Sequence, residues 1–166
     1  MQSYNWNAFT KRVPIRAAIG AIYDAWTTEE GIESWFLRKA IFTGKNGEQR
    51  KETERIQSGD SYTWLWHGYD DTVVEKRQIL DTNGTDLLRF SFSGGCIVTV
   101  RIRPEQGENI CELTQDMGPA REDEKQFFYI ECGKGWTFYL TNLKSVLEHG
   151  VDLRNRNVEL QQVVNA

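Results

Sequence analysis

Between Ser58 and Gly118 the chain alternates apolar and polar residues in short runs, and turn residues separate one run from the next. In SYTWLWH (61–67), Tyr62, Trp64 and Trp66 share one face. After GYDD comes TVVEKRQIL (72–80), and DTNGTD then carries Asn83-Gly84, a strong hairpin signal. TDLLRFSFS (85–93) sets Leu88, Phe90 and Phe92 against Arg89 and Ser91. Gly94-Gly95 leads into CIVTVRIR (96–103), where Cys96, Val98, Val100 and Ile102 oppose Thr99, Arg101 and Arg103. PEQGEN turns the chain into ICELTQDMG (110–118), with Cys111 and Leu113 on one face. A period of two over this length predicts an antiparallel sheet with one buried and one wet face. Short connections predict a meander.

A sheet with one oily face needs a cover. Past Gly118-Pro119 the period changes to that of a helix, opened by Glu122, Asp123 and Glu124 and stopped at Gly150. Trp136, Leu140, Leu143 and Leu147 recur at steps of four, three and four, the spacing of one helical stripe. This is the only element long enough to span the sheet, at about 1.5 Å per residue. Gly133 and Gly135 stand just before the helix's only tryptophan, although each glycine costs a helix about 1 kcal/mol relative to alanine. They predict a bend or irregularity near 132–136, with Trp136 directed toward the sheet.

The N-terminal third reads as a strand over 4–13 stopped by Pro14, a helix from Arg16 to Trp26, and a short helix capped by Thr28 and ending on Trp35 and Phe36. KAIFT (39–43) is a short strand, and GKNGEQRKETER is an exposed charged loop. The fold class is therefore α+β, with six to seven strands wrapped around a long C-terminal helix. Residues 1–154 are expected to form one domain, with 155–166 a tail of uncertain structure.

The net charge of −4 and a pI of about 5.3 give no global basic field for nucleic acid or anionic lipid. No apolar run approaches the ~20 residues of a membrane span, and the N-terminus lacks a secretory core. Three cysteines without a C-x-x-C pair argue against a disulfide framework or zinc site and suggest the cytoplasm.

Taken in order, the strand, VPIRAAIGAIYDAWTTEEGIESWF, the meander and the final G-W-x-x-x-L-x-x-L-x-x-x-L helix resemble the START-like, helix-grip (SRPBCC) superfamily. The resemblance is strongest to the branch named after the activator of the Hsp90 ATPase, homologue 1. It rests on Ala25-Trp26-Thr27 before Ile32 and Trp35-Phe36, Gly59-Asp60 before Trp64, and Gly135-Trp136 with Leu140 and Leu143, and it covers roughly residues 8–154. It implies a sheet wrapped around a long helix with a cavity between them. Relatives in the wider superfamily bind lipids or sterols, cyclise polyketides or act as co-chaperones, so the resemblance fixes a fold rather than a function.

Candidate walls of that cavity are Trp35, Phe36, Tyr62, Trp64, Trp66, Phe90, Phe92, Val98, Val100, Leu113, Phe128, Glu131, Trp136 and Leu140. The same side chains could equally pack solid, because packing density belongs to the coordinates. The resemblance implies a cavity that is at least partly open. His67 is expected to face solvent and His149 to sit at a helix end, and neither has a partner at triad spacing. Glu131 would act as a ligand anchor or general acid only if buried, and an acid on a helix more often faces water. No catalytic or metal-ligating residue is assigned, and no cofactor is implied. Three readings follow: a protein holding a small hydrophobic or aromatic, lipid-like ligand, a co-chaperone-like partner of an Hsp90-type ATPase, and a cyclase or aromatase.

Overall fold

The computed structural model describes residues 4–160 and 162–164. In chain order the elements are β1 (Ala8–Ile15), α1 (Ile19–Thr27), α2 (Glu29–Glu33), β2 (Lys39–Thr43), β3 (Ser61–Leu65), β4 (Val74–Thr82), β5 (Leu87–Ser91), β6 (Ile97–Glu105), β7 (Glu108–Asp116) and α3 (Glu122–His149). The seven strands form one antiparallel sheet in the order β1-β7-β6-β5-β4-β3-β2. The meander expected from the alternation is therefore present, and the chain's first strand closes it by pairing with the last. The long helix lies over the sheet, as the need for a cover requires.

Local chemistry explains the boundaries. Pro14 does not stop the first strand as expected. It pairs opposite Ile110 within β1, an edge strand, where a missing N–H costs no ladder bond. At the far end of β6 the strand likewise runs through Pro104. The turn shrinks to Gln106-Gly107, both with positive φ (53° and 81°), as a two-residue hairpin with a primed turn requires. Leu80 bulges from β4 between Ile79, opposite Phe90, and Asp81, opposite Arg89. Thr28 caps α2 by accepting a hydrogen bond from the Gly31 N–H at 2.9 Å.

The charged loop after β2 is exposed as expected, apart from the half-buried Gly44 and Arg50. Arg50 grips Asp60 with one edge of its guanidinium, Nε donating to Oδ2 and Nη2 to Oδ1, and the Asp60 carboxylate also accepts the Gln57 N–H at 2.8 Å. Asp60 is almost wholly buried. A buried carboxylate needs such partners, and its sequence position beside Gly59 gave no hint of which arginine would supply them.

The space between sheet and helices is filled chiefly by aromatic rings. Trp26 meets Trp35 edge-on at 4.6 Å between centroids, and Phe36 lies 5.1 Å from Trp136 and 5.6 Å from Trp64. Tyr62 stacks on Trp64 at 3.8 Å, and Trp64 meets Phe90 at 5.2 Å. The apolar faces of β6 and β7, including Val98, Val100, Cys111 and Leu113, are fully buried beneath them.

Candidate functional site

α3 sorts its residues by rows four apart. The row Phe128, Cys132, Trp136 and Leu140 points at the sheet. Trp136 is buried, and its indole N–H donates to Gln115 Oε1 on β7 at 2.7 Å. No interruption occurs at 132–136, where the helix runs without a break from Glu122 to His149. A Cβ built on Gly133 or on Gly135 would meet nothing within 4 Å. The glycines therefore neither break the helix nor permit a close approach to the strands.

They leave space on its two flanks. Gly135 belongs to the row Phe127, Glu131, Gly135 and Tyr139, which lines a pocket of about 400 Å³. The opposite wall comes from Trp66, Tyr69, Val73, Val74 and Glu75, and the floor from Phe36, Phe92 and Trp136. The pocket continues into an outer groove of about 930 Å³, which Val163 and Val164 border from the C-terminal segment. On the other flank, Gly133 lies in the row Tyr129, Gly133, Thr137 and Thr141. That row borders a shallower groove of about 620 Å³ with Tyr4, Trp6 and Phe9.

A close contact holds the first pocket's end in place. The turn between β5 and β6 brings Gly94 (φ 67°) beneath Phe128, where a Cβ would come within 2.4 Å of the ring. Only glycine satisfies both the backbone angle and the contact.

Of the fourteen residues proposed from sequence, Phe36, Trp66, Phe92, Phe128, Glu131 and Trp136 line this pocket. Trp35, Tyr62, Trp64, Phe90, Val98, Val100, Leu113 and Leu140 lie in the packed interior instead. Sequence reasoning passed over Tyr69, Val73, Val74, Glu75, Ser93, Phe127, Cys132, Gly135 and Tyr139, which also line the pocket. Those on α3 carried a signal, since Phe127, Glu131, Gly135 and Tyr139 repeat at steps of four beside the stripe that was read. Tyr69 reads as part of a turn, and Val73, Val74 and Glu75 as part of the strand run that follows it, so none of these carried a signal of a pocket.

The pocket's polar groups are few and mostly uncharged. Glu131 stands at the rim, half exposed and paired with Lys134 at 2.8 Å, so the general-acid role that depended on its burial loses its basis. Glu75 is the deeper carboxylate, with its side chain 12% exposed. Its Oε2 accepts the Ser93 hydroxyl at 2.6 Å and its Oε1 accepts the Arg77 Nε–H at 2.6 Å. Burial pushes the Tyr139 hydroxyl up to about 12. Burial also raises the Cys132 thiol, against an opposing contact from Gln115. Both remain neutral donors near pH 7. The site can thus enclose an apolar body and offer it an acceptor at Glu75 and a neutral thiol at Cys132.

The histidines lie elsewhere. His67 is half-buried rather than solvent-facing, and its pKa is lowered by burial and then by the nearby Arg154 and Arg156 charges. His149 ends α3 in solvent beside Glu148. Among the described residues no group of three or more His, Cys, Asp or Glu is placed to hold a metal ion. None of the described helices is long and apolar enough to cross a membrane.

A family model described as Activator of Hsp90 ATPase homolog 1-like protein matches residues 16–148. Solved structures share the architecture. A protein from Staphylococcus saprophyticus aligns with a TM-score of 0.69 at 20% identity, over 89% of this chain and 96% of that one. The Aha1 dimer from Colwellia psychrerythraea aligns with a TM-score of 0.64 at 17% identity, over 86% and 97%. DynU16, a protein in the dynemicin biosynthetic locus, aligns with a TM-score of 0.67 at 17% identity, over 90% of this chain and 50% of that one. No curated protein matches the sequence.

Proposed function

The chain belongs to the Activator of Hsp90 ATPase homolog 1-like protein family, and from that premise we propose that it binds a small hydrophobic or aromatic molecule in the pocket between the N-terminal half of α3 and the β3–β4 connection. One observation carries the reading. The helix row facing this pocket replaces a side chain with Gly135, and the space so left is ringed by Trp66, Tyr69, Phe92, Phe127, Trp136 and Tyr139. Aromatic walls with a few convergent polar groups are the usual make-up of a small-molecule site. The packed rings beneath confine the ligand to this end of the fold rather than to the whole space between sheet and helix.

Binding of N-phenyl-1-naphthylamine, a neutral fluorescent probe, tests this directly, together with native mass spectrometry of the purified protein. Enhanced probe fluorescence that is lost in Gly135→Leu, which would fill the pocket, is the expected result. No binding by the unaltered chain would overturn the reading.

A second reading has its own support. Phe127, Tyr69 and Val73 are large apolar side chains left exposed around the pocket mouth, and such a patch also suits a protein partner. A co-chaperone-like role predicts that the chain changes the ATPase rate of an Hsp90-type protein and that Phe127→Asp abolishes the change. An unaltered rate would exclude it.

A further inference from the structure

The pocket is electrically one-sided. Its lining holds two carboxylates, Glu75 and Glu131, and no lysine or arginine. Lys134 enters only in the outer groove, where it is already paired with Glu131. Arg77 reaches Glu75 from outside the lining, and its side chain is 45% exposed against 12% for Glu75. Water therefore screens the arginine's charge more than it screens the carboxylate's. Ser93 donates to one Glu75 oxygen and Arg77 to the other, which leaves a second lone pair on each as an acceptor.

The walls have the same bias. The faces of Trp66, Tyr69, Phe127 and Tyr139 are electron-rich and attract a cation lying over them. A ligand carboxylate placed here would lose its hydration beside two like charges, with no basic lining residue to compensate. An ammonium group would gain both the carboxylates and the rings.

We infer that the pocket takes an apolar or aromatic molecule bearing an amine, and that it rejects the same skeleton bearing a carboxylate. The inference rests on the pocket being the ligand site, and it narrows the ligand to cationic amphiphiles rather than fatty-acid-like anions. Glu75 is the specificity-determining residue, and Glu131 contributes from the rim.

Three probes that share one ring system decide the matter: 2-naphthylmethylamine, 2-naphthylmethanol and 2-naphthoate, titrated calorimetrically at neutral pH. The amine should bind about tenfold or more tightly than the carboxylate, with the alcohol between them. Glu75→Gln, which keeps the shape and the acceptor for Ser93, should reduce the amine's advantage over the alcohol. Glu131→Gln, at a half-exposed position, should reduce it less. Arg77→Gln removes the ion pair to Glu75 and should enlarge the amine's advantage. If the alcohol binds but the carboxylate binds as well as the amine, or if neither glutamine variant alters the preference, the charge inference is overturned while the binding site survives. If none of the three binds, both fall.

Discussion

The two halves of α3 rest on the same sheet in different ways. Beyond Leu140 the helix is locked. Asn142 is fully buried, and its amide donates to the Trp35 carbonyl at 2.7 Å while its oxygen accepts the Leu153 N–H at 2.7 Å. Arg154, from the segment that follows, donates to the Leu37 and Glu33 carbonyls, each at 2.9 Å, and pairs with Asp152. Before Leu140 the helix meets the sheet through the row of Phe128, Cys132 and Trp136 and through Tyr129, whose ring stands edge-on to Phe9 of β1 at 5.2 Å, while Phe127 and Ile130 stand in solvent. Polar groups that must be satisfied inside the protein fix one geometry, whereas apolar groups around open space tolerate several. The locked half sets the helix's position, and the loose half is free to border a pocket.

The sharpest way to break this contrast is Arg154→Ala. It strands the Leu37 and Glu33 carbonyls and leaves Asp152 to Arg156 and Asn142 alone, and should cost about 3–5 kcal/mol in urea unfolding. A loss below about 1 kcal/mol would show that the lock is not where the stability lies.

Asp152 gives the lock a pH dependence. Burial alone would raise its pKa, but Arg154, Arg156 and Asn142 together hold it well below the usual carboxylate range. A depressed folded-state pKa contributes stability that is present above the ordinary value near 4 and lost as pH falls below it. Asp152→Asn should therefore flatten the acid side of the stability profile, and an unchanged acid limb would remove Asp152 from the account.

At the boundary between the halves, Trp136→Phe deletes the donor to Gln115 and leaves a buried amide oxygen unpaired. A loss of about 1–3 kcal/mol is expected, measured in the same way.

In the loose half the sign reverses. Gly133→Ala and Gly135→Ala meet no atom, so each should stabilise by up to about 1 kcal/mol through helix propensity. Destabilisation by either would mean that the open space is not there. Smallest of all, Phe127→Ala should change stability by no more than about 0.5 kcal/mol while weakening probe binding.

Much of the fold was legible because it depends on periodicity. Tyr62, Trp64, Phe90, Val98, Val100 and Leu113 declare an inward face by alternation alone, and all are buried. The site was legible only in part. Phe36, Phe92 and Trp136 border space, whereas Trp35, Trp64 and Phe90 meet other rings, and nothing in their residue type or spacing separates the two groups. The glycines illustrate the same limit. Their cost to the helix was plain, but whether it bought a bend or a void depended on what stood opposite.

The sequence by itself determined the strands, the covering helix, the family and the apolar interior, because hydrophobic period and turn chemistry act over a few residues. Only the tertiary structure decided that the interior is filled with rings, that Arg50 and Arg154 lock distant segments, and that one flank of α3 opens on a carboxylate-lined pocket. Those depend on volumes and partners drawn from segments far apart in the chain, where local pattern carries no information.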